Sequence, residues 1–230
     1  MIRAVLFDYG LTLVTFAYPH EELLEVLREV WPTLPPGTPP PEQLMTRVLE
    51  PLEERLQGLG EDEVDYMSVY EAAWRAAGVD VPRGTLYEIL DREQQVWDRA
   101  ARPSPHAVPV LAELRRRGKR TGIASNAPFP PEMLQRQLRT VGLAAHLDAA
   151  VFSSEIGRRK PAPELYLTAL ERLAVPAAAA LFVGDRADWD YDAPRSLGMQ
   201  AVLSTELART PAPPGVPTIA TLTELLELVP

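Results

Sequence analysis

The chain has no cysteine, which removes disulfides, thiolate catalysis and cysteine-ligated zinc from its chemistry. Long apolar runs are also missing: none approaches the ~20 residues a membrane-spanning helix needs. The first residues enter an apolar strand-like run with no basic segment and signal-like stretch, so the expectation is a cytoplasmic protein with no membrane partner. Excess positive charge is absent too. The formal net charge is −9, whereas a general nucleic-acid binder needs a basic face to meet phosphates, so no nucleic acid is expected as a partner. A small anionic ligand stays compatible with that charge, because a few cations or a metal reverse the field inside a cleft. Lysine occurs only at 119 and 160, and asparagine only at 126. Together with 24 prolines this suits a heat-adapted, thermostable chain short of labile amides, although genomic base bias leaves the same pattern. The scarcity makes Lys160 and Asn126 positions of interest.

What is present is the composition of a folded chain, 46% hydrophobic and 24% charged over 230 residues, enough for one large domain or a core plus an insertion. Five short apolar runs, 2–7, 120–124, 149–153, 180–183 and 200–203, read as buried strands. Helical patterns at 107–117, 131–140 and 163–173 alternate with the later ones; Gly118 supplies a C-terminal stop and Pro161-Ala162-Pro163 an entry. Strands alternating with helices imply parallel pairing through right-handed crossovers, an α/β doubly wound sheet.

Residues 16–103 break the alternation. Helices are predicted near 20–31, 41–58, 64–77 and 84–100, giving a helical cap domain of 16–103 set between the two parts, 1–15 and 104–230, of a core domain. The proline-rich stretch 32–41 reads as an extended surface loop, with a proline-recognition motif as the alternative. The acidic run Glu61-Asp62-Glu63 reads as a solvated helix start.

Four strand ends carry polar residues of a particular kind. Asp8 and Thr12 follow the first strand, Ser125-Asn126 the second and Gly184-Asp185 the fourth, while Arg158-Arg159-Lys160-Pro161 precedes the helix at 163. In a doubly wound sheet such ends meet in one crevice. They supply a carboxylate nucleophile, a hydroxyl with backbone N–H donors, a cation, and further carboxylates for a hard metal. That is an inventory for phosphoryl transfer, in which positioning and charge neutralisation dominate.

With those residues in view, the chain resembles the haloacid dehalogenase-like (HAD) hydrolase superfamily, in the form with a helical cap inserted after the first motif. The likeness rests on Val5-Leu6-Phe7-Asp8-Tyr9-Gly10-Leu11-Thr12-Leu13, on Ser125-Asn126, on Ser154 to Pro163 with Lys160, and on Val183-Gly184-Asp185 with Asp190. Four motifs in this order and spacing carry it; the cap matches in position and character only. The resemblance implies a Rossmann-like core and a Mg²⁺-dependent phosphatase acting on a small phosphorylated substrate, as a monomer or homodimer. Asp8 would attack phosphorus and form an aspartyl-phosphate. Asp8, Asp185 and the Gly10 carbonyl would hold Mg²⁺, with Asp190 a water-mediated ligand. Lys160 would neutralise Asp8 and the transferring group. Ser125 and Asn126 would bind phosphate, and Thr12 would order the loop at the phosphate site. Structural roles compete at several positions: Asp8 as a turn cap, Asp185 as the N-cap of a helix over 190–197, Asp190 as a buried support, Asn126 as a turn residue.

One departure matters. Most phosphatases of this family carry Asp two residues after the nucleophile as general acid and base; here that residue is Gly10. A positioned acid–base contributes typically 10²–10⁴-fold. Three readings follow: a phosphatase whose proton moves through water, the substrate or a residue such as Tyr18, His20 or Asp188; a 2-haloacid dehalogenase, whose first motif reads Asp-x-Tyr-Gly-Thr; and a catalytically weak binding or scaffold protein. Arg47, Arg55, Tyr66, Tyr70, Trp74 and Arg75 are cap residues that could face the site, most of the aromatics being expected in the cap core.

Overall fold

The computed structural model describes residues 1–57 and 60–230. In chain order its elements are β1 (Ala4–Phe7), β2 (Val14–Phe16), α1 (His20–Val30), α2 (Pro41–Leu44), α3 (Glu50–Gln57), α4 (Tyr66–Ala76), α5 (Arg83–Ala100), β3 (Ala101–Pro103), α6 (Ala107–Arg116), β4 (Arg120–Ser125), α7 (Pro131–Thr140), β5 (Ala149–Phe152), α8 (Ser153–Ile156), α9 (Pro163–Arg172), β6 (Ala180–Gly184), α10 (Ala193–Ser196), β7 (Gln200–Ser204), β8 (Thr218–Ile219) and α11 (Leu225–Leu228). Six strands form one sheet in the order β5-β4-β1-β6-β7-β8, every pair parallel.

The apolar run of β1 is continuous because both its faces are covered. Val5 and Phe7 join a cluster with Val110, Leu111 and Leu114 of α6, while Ala4 and Leu6 face Leu165, Tyr166 and Ala169 of α9. Each strand side chain fully withdrawn from water in this way contributes about 1.5–3 kcal/mol. The expected α/β doubly wound core is therefore present. None of the described helices is long and apolar enough to cross a membrane.

Between β2 and β3 lie, among the described residues, the helices α1 to α5, with a hydrophobic cluster centred on Leu27, Tyr70, Trp74 and Leu86. β2 and β3 pair antiparallel, Val14 opposite Pro103 and Phe16 opposite Ala101, so the chain leaves for this insertion and returns from it on one two-stranded ribbon. Sequence periodicity did not find that ribbon or β8; strands of two or three residues show too few alternations to register a period.

Two expectations need correction. The helix predicted over 41–58 is not regular: α2 and α3 are separated by a wide π-helical turn, Met45–Leu49, and residues 58–59 lie outside those described. Pro51 explains the break, since it cannot donate to the carbonyl four residues back, and its ring pushes that carbonyl aside. The run Glu61-Asp62-Glu63 is not a solvated helix start. The Glu63 side chain is 1% exposed, accepts from Arg159 at 2.9 Å and bonds Ser153 Oγ, and Asp62 pairs with Arg158. Backbone bonds Glu63 N to Gly157 O and Arg159 N to Glu61 O complete a clamp on the segment that carries Lys160. The opposite charges sit 96 residues apart in sequence, out of reach of any local reading. The proline-rich stretch is a surface loop, folded back so that Trp31 Nε1 donates to Pro39 O.

Candidate active site

The parallel register places Phe7 beside both Ile123 and Val183, so Asp8, Ser125 and Asp185 emerge side by side at the carboxyl edge of the sheet. β1 is also where the strand order reverses, the position at which open α/β sheets leave a crevice. All three residues are buried.

Lys160 reaches this edge from the loop before α9. Its Nζ donates to Asp8 Oδ1 and Asp190 Oδ1, both at 2.7 Å, and the side chain is 1% exposed. Burial works against its charge, but Asp190 and Asp8 outweigh that and hold the ammonium protonated. The lone asparagine positions the lone buried lysine: Asn126 Oδ1 accepts from Lys160 N at 2.7 Å, and its Nδ2 donates to Lys160 O at 3.3 Å. The Asn126 side chain is thus engaged with the lysine backbone rather than directed at a phosphate.

Asp190 is fully buried, and its second oxygen, Oδ2, accepts from the N–H groups of Asp185 and Arg186 at 3.0 and 2.9 Å. Both oxygens are occupied, so Asp190 shapes the loop after β6 and anchors Lys160. This packing requires Gly184: a Cβ there would lie 2.2 Å from Asp190 Cγ. Asp185 is pushed up to about 7, first by burial and then by the charges of Asp8 and Asp190.

Oxygens of Asp8, Asp185 and Asp190 fall within 4.8 Å of one another. Three carboxylates around one lysine leave the cluster short of positive charge, which is the donor set and the deficit a hard divalent cation fits. The loop after Asp8 leaves the Gly10 carbonyl out of its own hydrogen bonds, which run to Tyr9 O and Val14 O. Gly10 itself could carry a side chain, since a Cβ would meet only Phe16 at 3.9 Å, an ordinary contact. Leu11 takes a left-handed conformation, φ 58°, which is strained for a bulky residue. Thr12 is fully buried behind this loop, its hydroxyl without a partner.

Above the edge lies a cavity of about 410 Å³ with Gly10, Leu11, Ser125 and Asn126 at its floor. Phe16, Tyr18, Trp97 and Phe129 form aromatic walls, and Glu53, Gln94 and Gln137 supply polar groups. Of the residues named as possible proton donors, Tyr18 lines the cavity; His20 pairs with Glu21 and Glu50, and Asp188 with Arg186 at the surface. Of the named cap residues, Tyr70 and Trp74 are buried core, Arg75 pairs with Glu71, and Arg47 and Arg55 are exposed. Tyr66 borders a small adjoining cavity. Glu53, Gln94, Trp97 and Phe129 escaped the sequence reading. Trp97 sits at core-like spacing in α5, Phe129 lies in the loop after β4, and no motif marked any of them.

A family model for the haloacid dehalogenase-like hydrolases matches residues 2–198. Among curated proteins, a glyceraldehyde 3-phosphate phosphatase from Methanopyrus kandleri is 28% identical over 88% of this chain and 83% of its own length. A phosphoserine phosphatase from Thermus thermophilus is 33% identical over 57% of this chain, which spans about half (51%) of that protein. Solved structures with the same fold include a HAD phosphatase from Thermococcus onnurineus (TM-score 0.68, 23% identity, 99% and 97% of the two chains). A 2-haloacid dehalogenase from Pseudomonas syringae is also similar (TM-score 0.70, 25% identity, 99% and 98%). A buried carboxylate bonded by a buried lysine at the switch point of a parallel sheet, in a chain whose residues 2–198 match the family model, makes this protein a member of the haloacid dehalogenase-like hydrolases.

Proposed function

We propose that this hydrolase is a Mg²⁺-dependent phosphatase acting on a small phosphate monoester, with Asp8 as nucleophile. The observation that supports this best is the pairing of Asp8 with Lys160 inside a carboxylate cluster that includes Asp185. A second buried carboxylate beside the nucleophile adds negative charge that a divalent cation can offset. The named phosphatase relatives support the same reading.

In this reading an Asp8 oxygen attacks phosphorus as the leaving-group oxygen departs in line, giving an aspartyl-phosphate that water later hydrolyses. Lys160 stays protonated and offsets the charge on the transferring oxygens, with Ser125 and the Asn126 backbone N–H as further donors. Asp8, Asp185 and the Gly10 carbonyl would hold Mg²⁺, which supplies charge neutralisation to Asp8 and the phosphoryl oxygens when bound. Asp190 and the Asn126 side chain are positioning residues that act through Lys160. Because Gly10 offers no acid, the departing oxygen takes its proton from water or from the substrate itself, and esters with good leaving groups are favoured. The helical insertion acts as the cap, its aromatic wall closing over the leaving group and setting specificity.

The test is hydrolysis of p-nitrophenyl phosphate that requires Mg²⁺ and disappears in Asp8→Asn. Mg²⁺-independent halide release from a 2-haloacid would overturn the proposal in favour of dehalogenation. Failure to turn over any of a broad phosphate panel would favour a scaffold role.

A further inference from the structure

The cavity under the insertion holds polar groups that phosphoryl transfer does not use. Glu53 from α3 and Gln94 from α5 line the main cavity, and both also border the small adjoining one, where Glu93 joins them. Tyr18, Trp97 and Phe129 are shared between the two cavities as well. These residues come from elements far apart in sequence, so their meeting is a product of the fold.

Three features of this group point the same way. Glu93 is buried and accepts from Tyr70 Oη at 2.8 Å, neither it nor Glu53 forms an ion pair among the described residues, and Arg209, which also lines the main cavity, donates to Phe16 O. Gln94 is 2% exposed, and its Oε1 is buried with no hydrogen-bond partner. The surrounding rings pack edge-on or tilted, Tyr18 against Trp97 at 5.7 Å and Tyr66 against Phe129 at 4.7 Å between centroids. Burial raises both carboxyls, Glu93 to about 8 with Glu53 adding to the effect, as expected where negative groups meet without a counter-charge. Acceptors without donors, carboxyls without cations and a ring-lined wall are complementary to one chemistry: a positively charged nitrogen. A neutral polyol would satisfy the acceptors but leave Glu53 without a counter-charge.

Resting on the phosphatase reading above, we infer that this subsite binds a cationic amine on the leaving group of the phosphate ester, with Glu53 and Gln94 as its acceptors and Tyr18, Trp97 and Phe129 as its walls. The substrate class is therefore an amino- or ammonium-alkyl phosphate, held with phosphorus at Asp8 and nitrogen under the insertion.

The experiment compares kcat/KM for phosphoethanolamine and phosphocholine with that for their neutral counterparts of like shape, propyl phosphate and 3,3-dimethylbutyl phosphate. A cation-to-neutral preference of about tenfold or more is expected, with Glu53→Gln lowering that ratio about tenfold, the range for one hydrogen bond to a charged group. Equal turnover of the charged and neutral esters, or a preference for a polyol phosphate, overturns this inference while Asp8-dependent hydrolysis of p-nitrophenyl phosphate leaves the phosphatase reading intact. A second readout needs no turnover: tetramethylammonium should give a saturable change in intrinsic fluorescence that Trp97→Phe removes and Glu53→Gln weakens. No saturable response in the wild-type protein would overturn the subsite whatever the enzyme's activity.

Discussion

The edge of the sheet and the wall of the helical insertion face each other across one cavity, and their polar groups are in opposite states. At the edge, both oxygens of Asp190 are bonded, the Lys160 ammonium sits between two carboxylates, and the Lys160 backbone is gripped by Asn126. On the wall, among the described residues, Glu53 and Glu93 form no ion pair and Gln94 Oε1 has no hydrogen-bond partner. The edge is organised before any ligand arrives, which is what transition-state charge stabilisation demands. The wall is complementary to something it does not contain, which is how a specificity surface differs from catalytic machinery.

Five measurements test that contrast. Asp8→Asn carries the largest expected effect, a loss of turnover on the order of 10⁴-fold without loss of folding; a variant retaining a tenth of the wild-type rate would remove Asp8 from the role of nucleophile. Next is the wall's response to pH. Folded Glu93 keeps its proton up to about 8, whereas in the unfolded chain it loses it near 4.5. Its contribution to stability is therefore full below 4.5 and is lost as pH rises to 8, about 5 kcal/mol in all. Glu93→Gln stays neutral in both states, so denaturant midpoints for this variant should change less between pH 5 and 9 than those of the wild type; parallel curves would refute the assignment.

Third, Gly184→Ala should break the edge without touching a charge. Its Cβ has no room beside Asp190, so a destabilisation of about 1–3 kcal/mol is expected, together with reduced turnover because Asp190 can no longer anchor Lys160. Normal kinetics in this variant would show that the anchor is dispensable. Fourth, Gly10→Asp fits the space beside Phe16 and should raise turnover of alkyl phosphates by roughly tenfold or more, with a smaller gain on p-nitrophenyl phosphate. Equal gains would mean that leaving-group protonation is not what Gly10 lacks. The smallest effect is expected from Leu11→Gly, which relieves the left-handed strain and should raise stability by up to about 1 kcal/mol, read from the unfolding midpoint.

The edge was legible before folding and the wall was not, for a physical reason that particular residues illustrate. Asp8, Ser125 and Asp185 each end a short apolar run, and a buried strand advertises itself locally through an unbroken series such as Leu181-Phe182-Val183. The wall residue Trp97 shares its helix with buried Val96, and no spacing rule tells a ring that lines a cavity from one that fills a core. Asn126 shows the intermediate case: its rarity flagged it, but only the coordinates show its side chain spent on the Lys160 backbone. The acidic run 61–63 was misread because its partners, Arg158 and Arg159, lie on another element.

From the chain alone came the α/β class, the strand ends that carry chemistry, the missing acid at Gly10 and the absence of thiol chemistry, since these depend on residue type, local periodicity and order. Only folding decided that Asp190 supports Lys160, that the acidic run clamps the lysine loop, and that two carboxyls and an amide meet uncompensated beneath aromatic rings. Those facts are distances between residues tens to more than a hundred positions apart, and close packing, not neighbourhood in sequence, sets them.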